Sequence, residues 1–202
     1  MQPTTMRIVA LASGGDVQNR AGGRSTGVLD YSRHFVLLAC VSAALVASSR
    51  WRPALGAVAS FGIYGALHAS VVVVTLRTSP PPWRKLLIVA AGTILSMLSV
   101  TLSLYASRFH AALPGMAKPA LLLALSSSFG AACYAALLRR AVGVQLRPSA
   151  LVSIPLGCVV AVLAILESGV YLRSGGLGFA LAWWFAFSLG LWLHDRGATA
   201  GA

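Results

Sequence analysis

The sequence predicts an all-α integral membrane protein, a compact bundle of about six transmembrane helices with both termini in the cytoplasm. Three observations predict it. Of 202 residues, 57% are hydrophobic and 10% charged, where an ordinary soluble domain carries about 25% charged residues. Mean hydropathy is +0.80. Six apolar runs follow one another with short polar connections. A soluble chain of this size must cover its surface with polar groups, whereas lipid removes that need.

Residues 1–32 form a polar tail rich in Gly, Ser and Arg. Its one apolar run, Ile8 to Ala12, is too short for a span, and no cleavage context accompanies it. The phrase Met6–Gly15 reads like a strand entering a glycine turn. No α/β pattern follows it, so the segment reads as a flexible cytoplasmic tail. The membrane domain is predicted over 33–194, with spans at 34–49, 53–76, 86–107, 119–138, 149–172 and 176–193. Most reach the roughly 20 residues that a hydrocarbon layer of about 30 Å requires. The first is the shortest. Pro80-Pro81-Pro82 makes a stiff turn before the third span. Pro155 removes a backbone hydrogen bond one turn into the fifth and can bend it near Gly157. Residues 195–202 form a short tail.

Orientation follows from Lys and Arg. The two tails and the even loops hold 11 of the 16 basic residues, among them Arg33, Arg77, Arg84, Lys85, Arg139, Arg140 and Arg147; the opposite loops hold 5. The positive-inside rule then puts both ends in the cytoplasm, and the expected location is a bacterial inner membrane. Trp51, Trp83 and Trp192 fall near predicted interfaces, as an aromatic belt does. The net charge of +12 would suggest nucleic acid in a soluble domain. Here the positions account for it by topology and anionic lipid, so the lipid bilayer is the expected partner and nucleic acid is not.

Small residues predict how the helices meet, because apolar helices in lipid gain most from close packing. The sixth span spaces Gly178, Ala182, Ala186 and Gly190 four apart. The fifth does the same with Ser153, Gly157 and Ala161, and the first with Ala39, Ala43 and Ala47. On the third span Thr93, Ser96, Ser99, Ser103 and Ser107 fall within an arc of about 120°. This stripe reads either as interhelical packing or as a hydroxyl-lined path. Of Ser126, Ser127 and Ser128, at least one hydroxyl should bond back to the preceding turn.

Few groups can carry chemistry. Glu167 is the one acidic residue inside a span, about 9 Å along the helix from Arg173. Its helical angle places it with Tyr171 and Ala164 on the small-residue face, pointing into the bundle. A carboxylate at that depth must be neutral, paired or wet. His68 lies near the middle of the second span, with Tyr64 one turn before and Thr75 two turns after. Either could line a proton, ion or solute path, or be satisfied by a neighbouring helix. His34, His110 and His194 sit near span ends, which argues against a bis-histidine haem. Cys40, Cys133 and Cys158 each lie in apolar runs without a CxxC pair, so no metal site or cofactor is expected. GxSxG and HExxH are absent. Asp16, Asp30, Glu167 and Asp195 are too few for two-metal chemistry, so an enzyme is not expected. Two functions lead, with a membrane enzyme acting on lipid as the third reading. One is a non-catalytic subunit or accessory factor of an envelope assembly, with other membrane subunits or further copies of itself as partners. The other is a small-solute or ion permease component with Glu167, and His68, on the path.

Overall fold

A computed structural model of the chain describes residues 27–48, 57–109, 117–168 and 176–195. Six helices account for nearly all of them: α1 Tyr31–Ala47, α2 Ala57–Val74, α3 Pro82–Phe109, α4 Ala117–Val142, α5 Ala150–Glu167 and α6 Leu177–His194. No strand longer than an isolated bridge occurs among the described residues. Four helices, α3 to α6, contain stretches long and apolar enough to cross a membrane, while α1 and α2 are shorter apolar helices. The expected N-terminal tail lies outside the described residues up to position 26, as do Trp51, His110 and most of the C-terminal tail.

The helix boundaries have local causes. Asp30 caps α1: its Oδ1 accepts from the Arg33 amide at 3.2 Å and from the Ser32 hydroxyl at 2.8 Å. This is the usual device for satisfying a first-turn donor. It starts α1 three residues before the expected 34. Pro82 is the first residue of α3, where its missing N–H costs nothing. The Pro81 carbonyl accepts from the Arg84 amide, so the proline run starts α3 four residues before the expected 86. The fifth span ends at Glu167 rather than 172; Pro155 is buried inside it and the helix continues on both sides. Gly143, at φ +78°, follows α4 at once and supplies the left-handed turn there.

Two short backbone contacts gather one end of the bundle. Leu29 bridges Leu76, tying the start of α1 to the end of α2, and Leu146 bridges Asp195, tying the α4–α5 connection to the end of α6. The Tyr31 hydroxyl then donates to Asp195 Oδ2 at 2.9 Å, joining the two bridges. Consecutive helices therefore run antiparallel. This end carries Arg33, Arg77, Arg84, Lys85, Arg139, Arg140 and Arg147 and is called the basic end below. Beneath it lies the main apolar core of Val72, Ile88, Leu138, Ile154, Phe187 and Leu191.

Helix contact follows the small residues, though not always the expected ones. The closest crossing is α2 on α3. A Cβ on Gly65 would stand 2.5 Å from the Gly92 carbonyl oxygen, and one on Gly92 would stand 2.7 Å from Ala69 Cβ. On α6 the expected ridge is used: a Cβ on Gly190 would meet Ile154 Cγ1 at 2.9 Å. The expected α5 ridge is corrected. Gly157 is exposed with open space around it, and α5 buries Ile154, Cys158, Val162 and Leu166 instead. The reason is that one small partner suffices per crossing. Because α6 supplies Gly190, α5 can present its bulky stripe and turn Gly157 outward, while Ser153 of the same ridge still meets α6, its hydroxyl 2.7 Å from His194 Nε2.

Two outcomes test this packing. Gly65→Val forces the α2–α3 backbones apart and is expected to cost about 1–3 kcal/mol or more, as overpacking does. Gly157→Val fills open space and is expected to stay within about 0.5 kcal/mol of the parent. Thermal unfolding in detergent checks both. At the N-terminus, hydrogen bonds from Ser32 and the Arg33 amide hold the Asp30 carboxyl below the usual carboxylate range. Its contribution is therefore present above the unfolded-state pKa and is lost as pH falls through the lower folded value. Fraying of α1 on acidification, followed by amide exchange and absent in Asp30→Asn, is the expected sign.

Candidate functional site

A cavity of about 350 Å³ opens between α2, α3, α4 and α6. Phe61, Tyr64, Gly65 and His68 line it from α2; Ser96 and Ser99 from α3; Ser126, Ser127 and Tyr134 from α4; Phe179, Trp183 and Trp184 from α6. These positions fall early on α6 and around the middle of α2, α3 and α4. The cavity therefore lies near the middle of the bundle, beyond His68 from the basic end. The Gly65–Gly92 crossing pins two walls together, while the α6 rings hold the remaining walls apart.

The hydroxyls around it mostly face their own backbone. Ser99 donates to the Leu95 carbonyl at 2.8 Å, Ser126 to Leu123 and Ser127 to Ala124, both at 3.2 Å. Ser128 also bonds back to Ala124, so all three consecutive serines take this route. Ser96 donates across to the Phe61 carbonyl of α2 at 2.7 Å. Thr93 donates to Val89 and is not part of the cavity wall. A serine that has committed its proton presents only oxygen lone pairs. The Trp183 indole N–H likewise donates to the Ser127 carbonyl at 3.2 Å.

His68 forms the end of the cavity nearest the basic end. It is buried, stacked on Trp184 and ringed by Tyr134, Trp183 and Phe187 at centroid distances of 5.6–5.8 Å. Its Nε2 lies 3.4 Å from the Ser188 hydroxyl, and the same hydroxyl lies 2.9 Å from His34 Nε2. His34 Nδ1 is 3.1 Å from Thr75 Oγ1. Thr75 donates its proton to the Val71 and Val72 carbonyls, so its oxygen must accept from His34 Nδ1–H. His34 Nε2 then accepts from Ser188, and the Ser188 oxygen accepts from His68 Nε2–H. In this arrangement two neutral imidazoles and two hydroxyls satisfy one another, and His68 keeps Nδ1 as an acceptor.

The structure brings together Tyr64, His68, Ser96 and Ser99 in one cavity. It does not bring Glu167 there. Glu167 is the last residue of α5 and exposed, on the same outward face as Gly157 and Ala164, so the expectation that it points into the bundle is corrected. The buried stripe of α5 ends on Leu166, 100° away. Tyr171 and the side chain of Ser103 lie outside the described residues. His34, Tyr134 and Ser188, with the rings of Phe61, Phe179, Trp183 and Trp184, are the site residues that the sequence did not single out. His34 sits in the first turn of α1, as its position suggested, yet that turn is buried. The two histidine rings are 6.2 Å apart, edge to face, with Ser188 between their nitrogens where a haem would have to fit. Among the described residues, no three His, Cys, Asp or Glu side chains converge as a metal site would require.

No family model, no curated protein and no solved structure matches this chain.

Removing the shared hydroxyl tests the network. Ser188→Ala strips both Nε2 atoms of their partner and is expected to cost about 1–3 kcal/mol, the range for a buried polar group left unsatisfied. Glu167→Gln, on the exposed face, is expected to stay within about 0.5 kcal/mol of the parent. Unfolding midpoints of the two variants compared with the parent give the measurement.

Proposed function

We propose that the chain is the solute-binding membrane component of a small-molecule permease. The observation that carries this reading is the aromatic cavity closed at one end by His68. Ligand sites are concave, mostly apolar and furnished with a few placed polar groups, and cavities of about 300–1,000 Å³ serve them. The Ser96–Ser99 part of the hydroxyl stripe belongs to that wall, which favours a solute site over packing alone. With Glu167 outside it, the path rests on His68 and not on a carboxylate.

In this proposal all six helices cross a bacterial inner membrane and both termini face the cytoplasm. The antiparallel order and the gathering of arginines at the basic end support that orientation. The cavity then lies near the middle of the membrane, on the outward side of His68. The role of accessory subunit or scaffold is the reading to which a cavity without an occupant would return the protein.

Binding to the native state alone adds about 2.7 kcal/mol at a ligand concentration a hundred times Kd. A thermal-shift screen of purified protein against small ring-bearing and aliphatic solutes should therefore yield at least one stabilising class. Ser126→Phe, which fills the cavity, is expected to abolish the shift, and Glu167→Gln to retain it. If no solute raises the midpoint of the parent, or Ser126→Phe responds as the parent does, the binding role fails.

A further inference from the structure

The cavity's own chemistry narrows what it can hold, given the solute-binding reading above. Among the described residues, no Asp, Glu, Lys or Arg lines it. An ion entering would lose its hydration without gaining a countercharge, which is strongly unfavourable. The widest walls are flat: Trp184 stacks on His68, and Trp183 on Phe187 with centroids 4.8 Å apart and planes 5° apart. Aromatic faces of this kind favour another ring, offset-stacked or edge-on.

Apart from the tyrosine hydroxyls and the indole N–H groups, the polar side-chain atoms of the wall accept. The lining serines have already donated to carbonyls and can only accept. His68 Nδ1 accepts as well, because Nε2–H is turned to Ser188. Tyr134 differs. It is buried to 2% exposure on the cavity wall, yet among the described residues its hydroxyl has no hydrogen-bond partner. An orphaned buried hydroxyl is costly, and beside the open acceptor His68 Nδ1 it marks a place where a bound molecule supplies the missing partner.

We propose that the cavity binds a neutral, flat aromatic molecule bearing a ring N–H or O–H, which donates to His68 Nδ1 while the Tyr134 hydroxyl bonds to the same molecule. The histidine–serine chain serves this site from behind. By fixing His68 as an Nε2–H tautomer it presents an acceptor and not a donor to the ligand. A flexible acyl chain would leave His68 Nδ1 and Tyr134 without partners.

Calorimetric titration of the full chain in lipid nanodiscs, with empty nanodiscs as blank, tests this with three probes. Indole carries the donor, 1-methylindole has lost it, and indole-3-carboxylate adds a charge. Indole is expected to bind at least about tenfold more tightly than 1-methylindole, and the carboxylate not to bind. Tyr134→Phe, which removes an unpartnered hydroxyl and leaves the fold intact, should weaken indole several-fold and leave 1-methylindole unchanged. His68→Leu should erase the difference between the two. Equal binding of indole and 1-methylindole, unaltered in Tyr134→Phe, overturns the polar recognition while leaving a solute site. Absence of binding by all three probes overturns the aromatic class, and the thermal screen with Ser126→Phe then decides whether any solute site remains. A co-purifying lipid detected by native mass spectrometry in the parent and lost in Ser126→Phe overturns the proposal in favour of an acyl chain.

Discussion

A polar group inside an apolar bundle has to find its partner within the bundle, and most of this structure is an answer to that constraint. Ser99, Ser126, Ser127 and Ser128 answer it locally, each against a carbonyl of its own helix. Ser96 answers it across the α2–α3 seam. Tyr31 and Asp195 answer it across 164 residues of sequence. The group formed by His34, Ser188, His68 and Thr75 answers it four times with four side chains from three helices. Each such bond is worth little by itself in a membrane setting, about 0.6 kcal/mol on average. Leaving one partner unmet costs more, so these contacts act chiefly by excluding other registers of the helices.

The cavity follows from packing under the same constraint. At Gly65 and Gly92 two backbones come as close as the chain allows, and no side chain separates α2 from α3 there. A short distance away, Trp183, Trp184 and Phe179 project from α6 towards that seam. Backbones that touch on one side and large rings on the other leave a gap that neither can fill. Filling it with a larger residue at position 65 would break the crossing. The void is thus a consequence of the crossing, and its polar fittings are what distinguish it from a packing defect.

The helices were legible in the sequence because Arg, Pro and Gly bound each apolar run, and four of the runs, those of α3 to α6, have the length that crossing a bilayer needs. All six predicted runs became helices, with ends displaced where a local device intervened: the Asp30 cap, Pro82 at the first position of α3, and the left-handed Gly143. The interior was less legible. Small residues spaced four apart show where close approach is possible, and α6 uses that possibility at Gly190 while α5 leaves Gly157 outside. One helix cannot record which of its faces a neighbour will take. Glu167 was misplaced for the same reason, its direction having been inferred from that small face. The site shows both cases. His68, Tyr64, Ser96 and Ser99 were visible as polar exceptions in apolar runs. Tyr134 stands in an Ala-Ala-Cys-Tyr-Ala-Ala run that does not record which helix it faces, and His34 gains its meaning only when α2 and α6 are beside it.

The placement of the polar group relative to the cavity bears on how such a bundle could pass a solute. His68 is the floor of the cavity, and behind it Ser188, His34 and Thr75 continue towards the basic end, where Leu29, Leu76, Leu146 and Asp195 close the structure. A molecule leaving in that direction has to part the contacts of Ser188 with both histidines. Those contacts join α1 and α2 to α6, so parting them moves whole helices and not a single rotamer. The Ser188–His68 bond, at 3.4 Å, is longer than the Ser188–His34 and His34–Thr75 bonds at 2.9 and 3.1 Å and lies next to the cavity. A ligand that draws His68 forward by its Nδ1 acts on that weakest link first. In the proposed permease, occupancy of the cavity and closure of the basic end would therefore be connected through one imidazole ring.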